Sequence, residues 1–487
     1  MYELTSIGDD WRKGLISREQ IGGGVLYAGL VTGVLFAIFV YWAYDDPFIT
    51  YRYAENVALG VGFVYNAGER VLSTTTPLFA LLLALLKPLP IPLPQLAKAI
   101  SALSLSVGAL CLWDLSRSWE APFVGWAGLL LYPFFPLVLS TLGSETPLYI
   151  AFCLGAFAFY ARQRYHWAAL CAALAVLARA DGILVPAVLG VDYLVRVRHP
   201  LPWRPLILFV LLLTPWFVFA WGYFGSPFPV TLAAKQHQGS MAISQKFAPG
   251  FLTIAQGYAA HWHYWLEAGL AVMGVAFVAA QKRIWATFLA WPVLYFAAYT
   301  ALGVSRYYWY YAPLVPGFLV VVGLGLETLK TSLRRALVGL SVGVSLLLIL
   351  ALAQGGDALR LRQRADARYP IYRAVGEWLR ANTPPEATVG TLEVGIIGYY
   401  ARRPMIDFAG LIQPAVAERL TPDATYADAA DWAIQAYHPM YLALNPAWFP
   451  TLMQTQVLPA CEALQVFPGE AYSFDGEMVI YRCDWKE

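Results

Sequence analysis

About eleven apolar runs set the limits on what this chain can fold into: 23–43, 95–114, 121–140, 147–162, 166–179, 182–196, 205–222, 261–280, 285–303, 311–328 and 335–354. A helix crosses a bilayer with ~20 mostly apolar residues, and spans inside a bundle can be shorter, as the fifth and sixth runs are. Lipid offers backbone N–H and C=O groups no partner, so such runs fold as helices. Composition agrees: 59% of the residues are hydrophobic and 13% charged, against about 25% charged in an ordinary soluble domain. The 18 Trp and 30 Tyr suit aromatic belts at the two interfaces. The expected fold class is a polytopic α-helical membrane protein. A net charge of +2 with no basic block excludes nucleic acid as a partner.

A further apolar run, 77–89, resembles a span but has the wrong consequence for charge. Cytoplasmic loops collect Lys and Arg. With 77–89 left out, Arg12, Lys13 and Arg18, then Arg117, then Arg162 and Arg164, then Arg196, Arg198 and Arg204, then Lys282 and Arg283, then Lys330, Arg334 and Arg335 all fall on one side. With it included, every later loop flips. The run therefore reads as an amphipathic or re-entrant helix at the outer surface, ended by the prolines of "KPLPIPLP". Residues 1–22 become a cytoplasmic tail, polar and without a cleavage site before a retained first span. Residues 23–354 form the membrane domain, with a first outer loop at 44–94. The short outer stretches are "SETP" (144–147), "RADG" (179–182), "SPFPVTLAAKQHQ" (226–238) and "SRYYWYY" (305–311).

Residues 355–487 read as a soluble extracytoplasmic α/β or α+β domain. "YPIYRAVGEWLRANTPPEATVGTLEVGIIGYYARRPMIDFAG" gives an amphipathic helix, a proline turn, a strand, a glycine turn and a second strand; "MYLALN" and "MVIYRC" add strands. Cys461 and Cys483 lie in this domain, where an oxidising compartment permits a disulfide. Cys111, Cys153 and Cys171 sit in apolar runs as small hydrophobes.

The first outer loop carries two adjacent acids, Asp45 and Asp46. Asp46 before Pro47 reads as a helix N-cap, with Gly60 stopping the helix. That leaves Asp45 unexplained. A carboxylate there suits a general base that takes a proton from an attacking hydroxyl.

The loop "DDPFITYRYAENVALGVGFVYNAGERVLSTTTPL" resembles the first outer loop of the GT-C class of membrane glycosyltransferases, and more narrowly its terminal arabinofuranosyltransferase-like branch. The matching features are Asp45-Asp46, Tyr51-Arg52-Tyr53, Gly60-Val61-Gly62, Asn66-Ala67-Gly68-Glu69 and Thr75-Thr76-Pro77-Leu78. "GSETPLY" (143–149), "YFGSPFPVTLAAK" (223–235), "RYYWYYAPLVP" (306–316) and "EVGIIGYYARRPMIDFAGL" (393–411) are similar to later pieces of the family in the same order. "ARADGIL" (178–184) departs, with Ala180 and Asp181 where proline and glutamate are usual. The resemblance implies a polyprenyl-phosphate sugar donor, chemistry on the outer face with inversion, and Asp45 as base beside Asp46.

A lipid phosphate at that interface needs fixed cations. Arg179, Lys235 and Arg306 all fall at outer loop edges, against the positive-inside bias, and are the donor-phosphate candidates. Arg52, Glu145, Asp181, His237 and Tyr310 are the candidates for contacting acceptor or substrate. A divalent metal, Mg or Mn, held by Asp45, Asp46 and Glu145 is the alternative to cationic side chains. His261 and His263 read as interfacial. The expected partners are the lipid-linked sugar, the bilayer, and a glycan, lipid or protein acceptor in the cell envelope; the expected location is the cytoplasmic membrane. The competing readings are a transporter, which would place its ionisable groups near the midplane, and a non-catalytic scaffold that binds envelope glycans.

Overall fold

The computed structural model describes residues 18–197, 200–280, 283–333, 335–364 and 366–485. The tail through residue 17, with Arg12 and Lys13, lies outside the described residues, as do Arg198, Lys282 and Arg334. Each of the eleven apolar runs is helical. Among the described residues, seven helical segments are long and apolar enough to cross a membrane. Two runs are broken. The third stops at Leu130 and resumes as short turns around Pro133 and Pro136, because proline removes a donor and clashes with the preceding turn. The sixth starts as a 3₁₀ turn at Ala180–Ile183 before helix Leu184–Asp192. Helices Trp262–Ala280 and Val315–Ser332 cross in tight contact. A Cβ on Gly274 would run into the Val321 carbonyl, and one on Gly325 into the Leu270 carbonyl, the small-residue close approach found between spans.

The run at 77–89 forms a ten-residue helix, Pro77–Leu86. At 1.5 Å per residue it reaches about 15 Å, half a hydrocarbon core. It buries Phe79, Ala80 and Leu83 and exposes Leu81 and Leu85.

The C-terminal unit opens with helix Arg368–Asn382 and builds a five-stranded sheet: β1 Val389–Thr391, β2 Met405–Asp407, β3 Tyr441–Leu444, β4 Cys461–Pro468 and β5 Glu477–Cys483. The order is β2-β1-β3-β5-β4. β1 runs parallel to both β2 and β3, while β5 is antiparallel to β3 and β4. Cys461 and Cys483 face each other across β4 and β5 and are disulfide-bonded. Where the sequence suggests only a glycine turn after β1, the structure forms helix Ile396–Ala401.

This unit does not hang free of the helices. Phe48, Tyr51 and Tyr53 of the first loop share one buried cluster with Ile371, Val375, Val389 and Ile397. The Tyr65 hydroxyl donates to the Val394 carbonyl at 2.6 Å. Asn66 makes a two-way pair with the Met405 backbone, both bonds at 2.9 Å, as a neighbouring strand would. Glu55 is ion-paired with Arg402. The first loop is thus clamped between the bundle end and the sheet.

Candidate active site

The first-loop helix runs Asp46–Ala58 and ends as the sequence suggests. Val61 N–H bonds to Asn56 O, Gly60 N–H bonds to Val57 O, and Gly60 takes φ +74°, which is the Schellman arrangement. Its start differs from expectation. Asp45, not Asp46, occupies the N-cap position, and its side chain makes no capping bond. Backbone Phe48 N–H bonds instead to the Asp45 carbonyl. Both carboxylates are therefore free of the capping role and point to other partners.

Asp45 is buried, and each carboxylate oxygen accepts one backbone N–H from the C-terminal unit: Gly395 N–H at 2.9 Å and Ile396 N–H at 2.7 Å. Gly395 has to be glycine, since a Cβ there would lie 2.6 Å from Asp45 Cγ. Burial pushes the Asp45 carboxyl up to about 6, against the pull of the Ile396 N–H and the charge of Arg368. Asp46 is more open and stands 3.7 Å from Lys235 Nζ.

Two cavities meet at this point. The first, about 320 Å³, is lined by Asp46, the hydroxyls of Ser73 to Thr76, Glu145, Arg179, Asp181, Lys235, Tyr299 and Tyr310. Ile183, Leu184, Phe228, Leu232 and Leu302 give it an apolar flank. The second, about 450 Å³, is lined by Asp45, Asp46, Lys235, Gln238, Arg306, Arg368, Glu393 and Tyr426. Tyr44, Asp46, Lys235, Trp309 and Leu411 border both. Tyr44 stacks on Trp309 with ring centroids 5.4 Å apart, which fixes this dividing wall.

In the first cavity Arg179 is buried. It bonds Glu145 at 3.2 Å, Asp181 at 2.9 Å and the Tyr299 hydroxyl at 2.6 Å. It also lies over the Tyr149 and Tyr310 rings. Burial pushes the Glu145 carboxyl up, and Arg179 opposes that shift. Lys235 is different. Its ammonium is buried over the Tyr307 ring, 3.7 Å from the centroid, and Nζ has no hydrogen-bond partner among the described residues. Its anionic neighbour is Asp46, at a long 3.7 Å, so the ammonium is ion-paired while its N–H groups remain without a hydrogen-bond acceptor, which is costly for a buried group.

The structure thus gathers Asp45, Asp46, Glu145, Arg179, Asp181, Lys235 and Tyr310. Arg306 lines the second cavity, apart from Arg179. Arg52 is buried within the first loop with Nε donating to the Tyr65 carbonyl at 3.4 Å, and borders neither cavity. His237 lies on helix Thr231–Ser240 and also borders neither. His261 and His263 both turn to Asp357, at 3.3 and 3.0 Å. Among the described residues no group of three or more His, Cys, Asp or Glu side chains is arranged to hold a metal. Asp45 accepts two backbone N–H bonds, Asp46 pairs with Lys235 and Glu145 with Arg179, so the three acids considered for Mg or Mn each have another partner in this structure. Sequence reasoning missed Arg368 and Glu393. The signal was present in "VGTLE", a strand ending on an acid.

Comparison with known proteins fits this geometry. No curated protein matches by sequence. The family described as Domain of unknown function (DUF8728) matches residues 359–481. ArnT from Cupriavidus metallidurans bound to undecaprenyl phosphate superposes with a TM-score of 0.63 at 16% identity, covering 94% of this chain and 98% of that one. The archaeal oligosaccharyltransferase AglB from Archaeoglobus fulgidus, in complex with an inhibitory peptide and a dolichol-phosphate, gives 0.54 at 11% identity, covering 88% and 70%. The architecture is the GT-C fold of membrane glycosyltransferases. The chain is a multi-pass helical membrane protein of that fold.

Proposed function

We propose that the protein is an inverting glycosyltransferase. It moves a sugar from a polyprenyl phosphate to a hydroxyl of a cell-envelope acceptor, on the outer face of the cytoplasmic membrane. About eleven spans, a cytoplasmic N-terminus and an extracytoplasmic C-terminal unit complete the reading. The observation that carries it is the Lys235 ammonium, buried, held only by a long 3.7 Å ion pair to Asp46 and with no hydrogen bond made, in the wall of a cavity with an apolar flank. A lipid phosphate accepts the hydrogen bonds that Lys235 leaves unmade, and its chain lies along Ile183, Leu184 and Leu232. ArnT, of the same fold, holds undecaprenyl phosphate.

The roles follow from which cavity each group borders. Arg179 and Lys235 sit on the donor side and stabilise the phosphate as it leaves. Arg179 is balanced by Glu145 and Asp181, and Lys235 by Asp46, so what meets the phosphate is the hydrogen-bond donors these pairs leave open, mainly those of Lys235. Asp45 borders only the second cavity. That is the geometry of a base that touches the acceptor and not the donor. Its two N–H bonds orient it and leave lone pairs toward the cavity, and a carboxyl near 6 is ionised at neutral pH yet basic enough to accept a proton. Asp46 at the junction pairs with Lys235 and holds the reacting centre. The donor sugar is arabinofuranose, mannose or another pentose or hexose. Incubating the purified protein with a panel of labelled polyprenyl-phosphate sugars tests the reading: one donor is consumed and yields polyprenyl phosphate, and turnover of none would contradict it.

A further inference from the structure

The second cavity contains a pair of side chains that the transfer chemistry leaves unused. Glu393 accepts from Arg368 Nη1 at 3.1 Å, and Arg368 is held from behind by Asp366 at 2.7 Å. Both border the cavity that holds Asp45. Their place in the sheet is informative. Glu393 lies just past the carboxyl end of β1. The chain leaves β1 for β2 on one side and returns to β3 on the other. Leu392 to Val394, which follow β1, and Ala409 and Leu411, which follow the parallel β2, line the cavity together with Asp45. The site thus lies off the carboxyl ends of parallel strands, where open α/β sheets bind ligands.

We propose, building on the transferase reading, that Glu393 and Arg368 hold the acceptor, and that the acceptor is a polyhydroxyl compound. The pair bonds hydroxyls neighbouring the one that attacks. A carboxyl group and a guanidinium side by side present acceptors and donors at a spacing that suits adjacent hydroxyls on one ring. A lone alcohol fills only one of those positions and leaves the others unpaired, which is how polar pockets discriminate. The region that matches a domain of unknown function thereby supplies half of the acceptor site.

The charge state of Glu393 gives a signature that a purely structural residue lacks. Burial, then the charge of Asp45, pushes its carboxyl up to about 8, against the pull of Arg368. Asp46 and Asp366 add to the rise. Tyr307, Tyr372 and Tyr426 also face it, and Lys235 and Arg306 border the same cavity. Protonated, the group both donates and accepts; ionised, it only accepts. Glutamine reproduces the protonated form.

The experiment uses the full-length protein in detergent, the labelled polyprenyl-phosphate sugar it consumes, and two acceptor probes, an octyl glycoside and octanol. The wild type is expected to prefer the glycoside by ~10-fold or more in kcat/KM, about 1.4 kcal/mol. Its KM for the glycoside should change as pH passes about 8. Glu393→Gln should keep the low-pH KM at every pH. Glu393→Ala should raise KM ~10-fold with a small change in kcat. Thermal midpoints and donor binding report whether each variant is intact. Equal use of octanol, or a wild-type KM in a folded Glu393→Ala, overturns this inference and leaves the transferase reading standing. If no polyprenyl-phosphate sugar of the panel is consumed, with either probe or with water, both readings are overturned.

Discussion

Replacing Gly395 by alanine tests whether the two halves of the site depend on each other. Gly395 has φ −65°, so alanine fits its backbone conformation, and any effect comes from space alone. A Cβ there would lie 2.6 Å from Asp45 Cγ and still closer to the Asp45 carbonyl and Oδ2. Ordinary contact needs about 3.5 Å, so the C-terminal unit must retreat from the first loop by roughly an ångström. Overpacking of this kind costs about 1–3 kcal/mol. A retreat of that size also stretches the two N–H bonds from Gly395 and Ile396 to the Asp45 carboxylate, each worth about 1.5–3 kcal/mol because the acceptor is charged. The expected loss is about 3–6 kcal/mol from the bonds if both break, and about 1–3 kcal/mol if only packing gives. The assay pairs a thermal melt of the full-length protein with its transfer rate. Gly355→Ala is the control, because nothing lies within 4 Å of a Cβ at that helical position. A Gly395→Ala protein that melts and turns over like the wild type would refute the coupling of the C-terminal unit to Asp45.

Three other outcomes follow from the same geometry. Lys235→Met removes a buried ammonium that makes no hydrogen bond and only a long ion pair with the more open Asp46, so the ligand-free protein should melt close to the wild type while donor affinity falls ~10-fold or more, the loss of one charge-assisted hydrogen bond; a drop in stability with donor binding intact would contradict it. Reducing the Cys461–Cys483 bond, or changing both residues to serine, opens a loop of 22 residues and should cost about 3 kcal/mol, read as a lower melting point in reductant. Asp45 and Asp407 both have carboxyls raised to about 6 by burial; the folded state then holds protons that the unfolded chain releases, so their contribution to stability is greatest below about pH 4 and declines as pH rises to 6. Asp45→Asn should flatten that part of the melting profile.

Much of the fold was legible because lipid narrows the choices. Hydropathy alone located each apolar run as a helix, and the run at 77–89 as the ten-residue helix Pro77–Leu86. The cluster around Asp45, Asp46, Glu145, Arg179 and Lys235 was legible because those residues fall in loops that one topology brings to the same end. The rest depends on side-chain direction, which a sequence does not carry. Asp46 before Pro47 has the pattern of a cap, yet the cap position fell one residue earlier and the backbone carbonyl took the bond. Arg52 is in the matching motif, but its guanidinium turned inward to Tyr65. Arg306 sits at the expected loop edge but borders the second cavity, not the one that Arg179 lines. Glu393 and Arg368 lie far along the chain from Asp45, and only the docking of the sheet onto the first loop joins them.

Asp45→Asn, compared with Asp46→Asn in transfer from the labelled polyprenyl-phosphate sugar that the wild type consumes, tests the central claim most directly. Removing a positioned general base lowers turnover by about 10²–10⁴-fold. Asp45→Asn is expected to show that loss with donor binding retained, and Asp46→Asn to weaken donor binding as well, since Asp46 pairs with Lys235. A folded Asp45→Asn protein that transfers sugar at the wild-type rate would contradict the account.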